Sequence, residues 1–242
     1  MINPPLYFIN LDRHKDRLDY MNFMLSNSGV KYKRVTALDG QENPDYLSPF
    51  LKLEPTPDFF RIVSCNTQSL YRWGCLISHL KAIKAAYEDG CEYAFISEDH
   101  VEIDFYLKNI NKFNKIISKA PKDYEVIQLY CSNSDFYQNW RKRLDKESYF
   151  TKWNRQNYGA VIYLINRYGM SKILDLSTKN GDLEFTESEY YVADFYIYNL
   201  LNTYTFLPQF FSQKTFSEAT SSTSLLDKLD PICKQIKEYI EQ

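Results

Sequence analysis

Short apolar runs of strand length alternate along this chain with stretches that repeat apolar residues at helical spacing. The strand-like runs cover residues 6–9, 32–37, 93–97, 126–130, 159–165 and 204–208. Helical stripes lie between them, and the first two consist of Leu11, Leu18, Met21 and Leu25, then Leu76, Leu80, Ile83 and Tyr87. Strands that alternate with helices predict an open α/β sheet, and residues 6–37 read as the strand–helix–strand unit of nucleotide-binding sheets.

The clearest chemical signal follows residues 93–97, which lead directly into Glu98, Asp99 and His100. Because the run is apolar, these polar residues are placed at the carboxyl end of a buried strand, where open α/β sheets bind their ligands. Adjacent carboxylates and an imidazole attract a divalent cation. The simpler alternative is a solvated loop at the end of a strand.

The first strand–helix–strand unit carries a second group of charged residues. Asp12 is placed as the N-cap of its helix, and Arg13 and Arg17 lie four residues apart on one face of the first turns, where phosphates bind. Asp39 follows the second strand, in the position of a ribose-binding acid. The sequence has no glycine-rich dinucleotide loop, which argues against a dinucleotide cofactor. The alternatives are a plain turn at Asp39 and a solvated helix face.

Three further side chains are candidates because of their place in predicted helices. Ser78 and His79 are predicted near the N-terminal end of a helix, which favours anions, although a hydrogen-bonded core position suits His79 equally well. Asp194 lies near the start of a later helix, where capping is the alternative to chemistry. Residues 41–62, with four prolines, predict an irregular excursion, and residues 135–157 predict an inserted loop or hairpin.

Composition narrows the class of protein. A length of 242 residues predicts one large domain, residues 1–216, followed by a linker and an amphipathic helix that packs on it, residues 217–242. A net charge of −2 gives no reason to expect a nucleic-acid partner. Five widely spaced cysteines predict reduced thiols. The apolar runs are too short for a transmembrane segment and no signal region precedes the first strand, so we expect a cytoplasmic protein.

Several of these segments, taken in order, carry the motifs of one family. The motifs are Ile9-Asn10-Leu11 with Arg13 and Arg17, Ala37-Leu38-Asp39-Gly40, Gly74 to His79, Ile96 to Val101, and Val192-Ala193-Asp194. Together they resemble glycosyltransferase family 25, which includes lipopolysaccharide-core and collagen hydroxylysine galactosyltransferases, over roughly residues 6–215. The family's acidic triplet ends in Asp where this chain has His100. Imidazole is a feasible ligand of Mn²⁺ but suits Mg²⁺ poorly.

The resemblance implies an α/β, GT-A-like Rossmann-type glycosyltransferase fold with a mixed central sheet flanked by helices. It also implies metal-dependent transfer of a hexose from UDP-galactose or UDP-glucose to an acceptor hydroxyl, with Mn²⁺ or else Mg²⁺ as cofactor. The acceptor is either a collagen-type (galactosyl)hydroxylysine or a lipopolysaccharide sugar. Because the triplet departs from the family at His100, a catalytically silent glycan-binding or adhesion protein is the alternative.

The same resemblance, combined with the positions above, assigns roles to residues. Asp99 and His100 are expected to hold the metal, and Asp194 is the candidate general base, with Glu187 and Glu189 as competitors. The residues expected to bind the UDP-sugar are Asn10, Asp12, Arg13, Arg17, Asp39, Ser78, His79 and Glu98. Glu98 has an alternative role in the metal shell.

Overall fold

The structure is a computed structural model, and it describes residues 3–40, 67–179, 182–183, 192–216 and 223–242. Its strands are β1 (Leu6–Asn10), β2 (Tyr32–Thr36), β3 (Tyr93–Glu98), β4 (Val101–Glu102), β5 (Val126–Gln128), β6 (Phe150–Lys152), β7 (Ile162–Asn166), β8 (Thr178–Lys179), β9 (Asp182–Leu183), β10 (Thr203–Phe206) and β11 (Ser212–Gln213). Its helices are α1 (Lys15–Ser26), α2 (Thr67–Glu88), α3 (Asp104–Lys108), α4 (Ile110–Ile117), α5 (Trp140–Asp145), α6 (Arg167–Ser177), α7 (Ala193–Leu200) and α8 (Thr223–Glu241). The excursion predicted for residues 41–62 and the acids Glu187 and Glu189 lie outside the described residues.

A seven-stranded sheet lies at the centre of the described part of the chain, in the order β2-β1-β3-β7-β5-β10-β6. Strands β2, β1, β3, β5 and β10 run in one direction, whereas β7 and β6 run in the other. The α/β fold with a mixed central sheet is therefore confirmed. Since the five strands of common direction end at the same edge, the polar residues that follow β1 and β3 are brought together there.

Helices cover both faces of this sheet, which explains why its strands read as continuous apolar runs. Alternate side chains point to opposite faces, so Tyr7 and Ile9 join one core cluster and Leu6 and Phe8 join the other. The first cluster takes its helical residues from α2, α6 and α7. The second takes them from α1, α3, α4, α5 and α8.

The first helix begins later than the sequence predicts. Helix α1 starts at Lys15, and its N-cap residue is His14 rather than Asp12. A turn precedes it, in which the His14 backbone N–H donates to the Leu11 carbonyl at 3.0 Å. Asp12 accepts from Arg34 of β2 instead of capping, and Arg13 lies before the helix, so the prediction that Arg13 and Arg17 share its first turns is wrong.

The second helix begins earlier than predicted. Helix α2 starts at Thr67, so Ser78 and His79 lie about three turns inside it and not near its N-terminal end. Both side chains are buried. The helix runs through Gly74, whose bare Cα faces the loop after β2. A Cβ at Gly74 would lie 2.6 Å from the Leu38 carbonyl oxygen and 2.9 Å from the Gly40 nitrogen.

The region predicted as an inserted loop or hairpin, residues 135–157, is only partly irregular. It contains helix α5 and strand β6, and β6 pairs antiparallel with β10 at the sheet edge. Helix α8 packs on the body through Leu229, Cys233 and Ile236, which are buried in the second cluster. Among the described residues, none of the helices combines the length and apolar character needed to cross a membrane.

Candidate active site

The carboxyl end of β1 and the carboxyl end of β3 form the floor of the candidate site. Asn10 is the last residue of β1, and Glu98 is the last residue of β3, directly followed by Asp99 and His100. Since the two strands are parallel, with Ile9 opposite Glu98, Asn10 comes to lie beside Asp99. We refer to Glu98, Asp99 and His100 as the strand-end triplet.

Asp99 is the most tightly held member of this triplet. Asn10 donates through Nδ2 to Asp99 Oδ2 at 2.8 Å, and Arg17 donates through Nη1 to Asp99 Oδ1 at 3.3 Å. The Asp99 residue is only 5% exposed. Burial opposes ionisation of Asp99, but the contacts with His100, Asn10 and Arg17 outweigh it and lower the Asp99 pKa. Asp99 is therefore a fixed, ionised carboxylate at neutral pH.

The Glu98 carboxylate lies between two imidazoles. Its Oε1 is 3.6 Å from His79 Nε2, and its Oε2 is 3.5 Å from His100 Nδ1. Burial opposes ionisation of Glu98, and the proximity of His79 and His100 overcomes it, so the Glu98 pKa is lowered. His100 Nδ1 also lies 3.7 Å from Asp99 Oδ1, and this buried nitrogen has no hydrogen-bond partner within the described ranges.

Glu98, Asp99 and His100 offer ligand types that bind divalent cations, but among the described residues the group of three whose ligand atoms converge within 4.8 Å is Cys75, His79 and Glu98. His100 Nδ1, which has no hydrogen-bond partner in the part of the chain that the structure describes, faces one oxygen of Glu98 and one oxygen of Asp99. The three groups together offer nitrogen and oxygen ligands. Mn²⁺ accepts such a set, whereas Mg²⁺ prefers oxygen alone. Arg17 lies on the same Asp99 oxygen, so a cation there would share that carboxylate with a guanidinium.

Two further ion pairs of the first unit lie close to Asn10 and to the loop after β2. Arg34 donates from Nε to Asn10 Oδ1 at 2.9 Å and from Nη2 to Asp12, which links two residues predicted to face the nucleoside. Arg13 forms an ion pair with Asp39. Arg34 could not be selected from the sequence, because its partners are distant in sequence and the strand places it beside them only after folding.

Ser78 and the two glycines hold the loop that carries Asp39. Ser78 Oγ accepts from the Leu38 backbone N–H at 2.8 Å and donates to the Gly74 carbonyl at 2.6 Å. A Cβ at Gly40 would overlap the Leu70 carbonyl of helix α2. The motif at residues 37–40 and the motif at residues 74–79 thus pack against each other, and the Ser78 side chain hydrogen-bonds to both.

Asp194 lies at the start of α7, close enough to Glu98 for the two charges to interact. Its Oδ2 accepts from the Gly159 backbone N–H at 2.6 Å, and its Oδ1 accepts from the Phe195 backbone N–H at 3.0 Å. Burial raises the Asp194 pKa despite these bonds, and the negative charge of Glu98 raises it further. Asp194 follows the first helical residue, so it does not occupy the N-cap position, which belongs to Val192.

A segment that precedes the last helix also contacts the triplet. We call residues 212–216 the C-terminal strap. Strand β11 of this strap pairs antiparallel with β4, immediately after the triplet, and the Lys214 backbone N–H donates to the His100 carbonyl at 2.7 Å. The Phe216 ring lies 5.3 Å from the Arg17 guanidinium carbon, a cation–π contact. The strap therefore holds both the backbone of His100 and the side chain of Arg17.

Comparison with known proteins assigns this arrangement to a family. Residues 3–195 match the sequence model of the family described as glycosyltransferase family 25 (LPS biosynthesis protein). The chain belongs to glycosyltransferase family 25. The mouse protein named procollagen galactosyltransferase 2 is 29% identical to this family 25 chain over 126 residues, which is 51% of the chain and 20% of the relative. Its human counterpart is 28% identical over 125 residues, with the same shares. The match thus spans about a fifth of these relatives' length.

Proposed function

We propose that this family 25 chain transfers a hexose, galactose or glucose, from a UDP-sugar to an acceptor hydroxyl. The observation that carries the proposal is the strand-end triplet, fixed by Asn10 and Arg17 at the carboxyl edge of the sheet. Ligands of open α/β sheets bind at this edge. A buried, ionised Asp99 supplies negative charge that can bind the metal ion of a metal–diphosphate complex.

The proposal for the donor half of the site rests on the contacts around Asp99. Asp99 and His100 are proposed to hold Mn²⁺, or less favourably Mg²⁺, and Glu98 either completes the metal shell or binds the ribose. When bound, the metal supplies Lewis-acid stabilisation of the leaving diphosphate. Arg17 lies against Asp99 and adds fixed positive charge near the phosphates.

The nucleoside is proposed to lie over the end of β1. Asn10, Asp12 and Asp39 offer amide and carboxylate groups there, and Arg34 and Arg13 hold those groups in place. Arg13 is also a candidate for phosphate binding, as predicted. In this proposal Ser78 acts by fixing the loop of Asp39, and His79 acts through Glu98.

Asp194 is the proposed general base for the acceptor hydroxyl. Its raised pKa makes the ionised carboxylate a stronger base than an ordinary aspartate, and its bonds to Gly159 and Phe195 fix its orientation. A sugar hydroxyl of a lipopolysaccharide core and the hydroxyl of a collagen-type (galactosyl)hydroxylysine are the two proposed acceptors. The first follows the description of the family, and the second follows the name of the mouse and human relatives.

One observation favours a second function. Both Asp99 oxygens already have protein partners, and His100 replaces the acid of the family triplet. A site closed in this way suits a catalytically silent glycan-binding protein. This alternative predicts glycan binding without hydrolysis of any UDP-sugar, with Mn²⁺ or Mg²⁺ present.

Thermal unfolding tests the donor proposal. We expect UDP-galactose or UDP-glucose to raise the unfolding midpoint in the presence of Mn²⁺, and we expect a chelator to abolish the shift. A ligand present at 100 times its dissociation constant stabilises the native state by about 2.7 kcal/mol, which moves the midpoint of a chain of this size by roughly 5–11 °C. UDP with Mn²⁺ serves as the control for nucleotide binding alone. If neither UDP-galactose nor UDP-glucose raises the unfolding midpoint, the silent alternative is favoured.

The substitution His100→Asp tests the metal assignment at the position where the chain departs from the family. We expect this variant to keep transfer activity and to raise the ratio of Mg²⁺- to Mn²⁺-supported rates, since an oxygen ligand replaces a nitrogen. Initial rates with each metal over a concentration series provide the measurement. Asn111→Asp, an exposed change on α4, is the control for adding a carboxylate away from the triplet. An unchanged metal ratio in His100→Asp would show that His100 does not bind the ion.

A further inference from the structure

A cysteine, a histidine and a glutamate converge beside the proposed donor site. One ligand atom from each of Cys75, His79 and Glu98 lies within 4.8 Å of the others. Cys75 and His79 are four residues apart in α2 and therefore share one face of the helix. Glu98 ends β3 opposite that face. Cys75 has no part in the transfer reaction proposed above. The sequence shows Cys75 and His79 at helical spacing, but the position of Glu98 beside them becomes visible only in the folded structure.

The His79 ring is oriented as a metal ligand would be. It is fully buried, its ring stacks on Tyr163 at 5.7 Å, and its Nδ1 lies 3.2 Å from the Tyr163 hydroxyl. In the tautomer whose Nδ1–H donates to the Tyr163 hydroxyl, Nε2 carries a lone pair, and outer-shell partners of metal-bound histidines fix this tautomer in the same way. Nε2 has no hydrogen-bond partner in the described part of the protein. It points toward Glu98 Oε1, 3.6 Å away.

We propose that Cys75 Sγ, His79 Nε2 and Glu98 Oε1 bind Zn²⁺, with a water or a ligand atom in the fourth position. Tetrahedral bond angles and usual zinc bond lengths place neighbouring ligand atoms about 3.4–3.6 Å apart. The His79–Glu98 separation of 3.6 Å already has this value. Closing the remaining separations, which are at most 4.8 Å, takes a shift of about 1 Å by side chains at the site.

The ligand set selects zinc over the ion proposed for the triplet. A thiolate is a soft ligand that favours Zn²⁺, whereas Mn²⁺ and Mg²⁺ favour oxygen. Binding exchanges the thiol proton, which passes to solvent, for a zinc–sulfur bond, and no electron transfer is involved. The two sites meet at Glu98, whose Oε1 faces His79 and whose Oε2 faces His100. Zinc bound to Oε1 would thus leave Oε2 directed toward His100.

Metal titration of the full chain tests this site without any nucleotide sugar. After treatment with chelator, we expect the wild-type protein to bind one equivalent of Zn²⁺ in competition with a chromophoric chelator. We expect the Co²⁺ form to show a thiolate-to-cobalt charge-transfer band. Cys75→Ser should lose that band and bind Zn²⁺ more than roughly 100-fold more weakly, beyond the effect typical of an outer-shell residue. Cys91→Ser is the matched control, because Cys91 is also partly exposed but contacts Tyr7.

A measurement on the wild-type protein keeps the proposal testable if the Cys75→Ser variant unfolds. Thiol alkylation followed by peptide mapping should show that Zn²⁺ slows labelling of Cys75 at least tenfold and leaves labelling of Cys91 unchanged. Equal labelling of Cys75 with and without Zn²⁺ would overturn the site, as would a Co²⁺ form without a thiolate band. Neither result would bear on sugar transfer, since no UDP-sugar takes part.

Discussion

Replacing Asp99 with Asn is expected to lower the rate of hexose transfer by at least about 100-fold. The substitution keeps the size of the side chain but removes the charge that faces Arg17, His100 and the proposed metal. Losing one preorganised electrostatic contact costs about 100- to 1,000-fold in many enzymes, and loss of a metal ligand adds to that. The initial rate of transfer from a UDP-sugar under saturating Mn²⁺ provides the measurement.

The stability of this variant has to be measured beside its activity, because Asp99 is also part of the fold. Loss of the charge-assisted bond from Arg17 is expected to reduce the free energy of unfolding by about 1.5–3 kcal/mol. Since the folded state lowers the Asp99 pKa, the stabilisation is present above the unfolded pKa of about 4 and is lost as the pH falls through the folded value. Asp104→Asn, an exposed change nearby, should leave both quantities nearly unaltered. Full activity of a folded Asp99→Asn protein would refute the proposed metal site.

Replacing Asp194 with Asn is expected to lower transfer by about 100- to 10,000-fold and to remove the acidic limb of the pH–rate profile. The general base acts only when ionised, so the wild-type rate should fall as the pH drops below the Asp194 pKa. Burial raises that pKa, which moves the limb toward neutral pH. The rate of transfer at saturating donor, measured over a pH series, shows the limb directly.

A purely structural role for Asp194 makes a different prediction. Its bonds to Gly159 and Phe195 hold a loop and a helix start, and Asn can accept only one of them without opposing an N–H group. Disturbance of that loop would lower the rate equally at every pH and leave the limb in place. Asp175→Asn, an exposed change on α6, controls for loss of a negative charge. A retained limb in Asp194→Asn would exclude Asp194 as the base.

The architecture was predictable because strands that are buried on both faces of a sheet have a recognisable sequence pattern. Continuous apolar runs such as residues 6–9 and 93–97 need cover on two sides, and the helices between them supply it. The strand-end triplet was predictable for the same reason, since polar residues cannot continue a buried strand. Its place beside Asn10 follows from the parallel pairing of β1 and β3.

The side-chain partners were not predictable, because they join residues that only the fold makes neighbours. Arg34 reaches Asn10 and Asp12 across the sheet edge, and Tyr163 reaches His79 from the antiparallel strand β7. The start of α2 was misplaced because the apolar stripe used to predict the helix begins only at Leu76, whereas the helix begins at Thr67. Asp12 has a side chain typical of an N-cap, but in the fold it accepts from Arg34 instead.

The C-terminal strap has a consequence for hybrid proteins made within the family. The match to family 25 ends at residue 195, yet the strap that holds the His100 backbone and the Arg17 side chain comes after that point. A chimera that joins residues 1–195 to the tail of another member would keep every proposed catalytic and donor-site side chain of this chain. Its C-terminal strap, which contacts Arg17 and His100, would come from the other family member. Chimeras between family members should therefore exchange residues 196–216 together with the regions that contain Arg17 and His100.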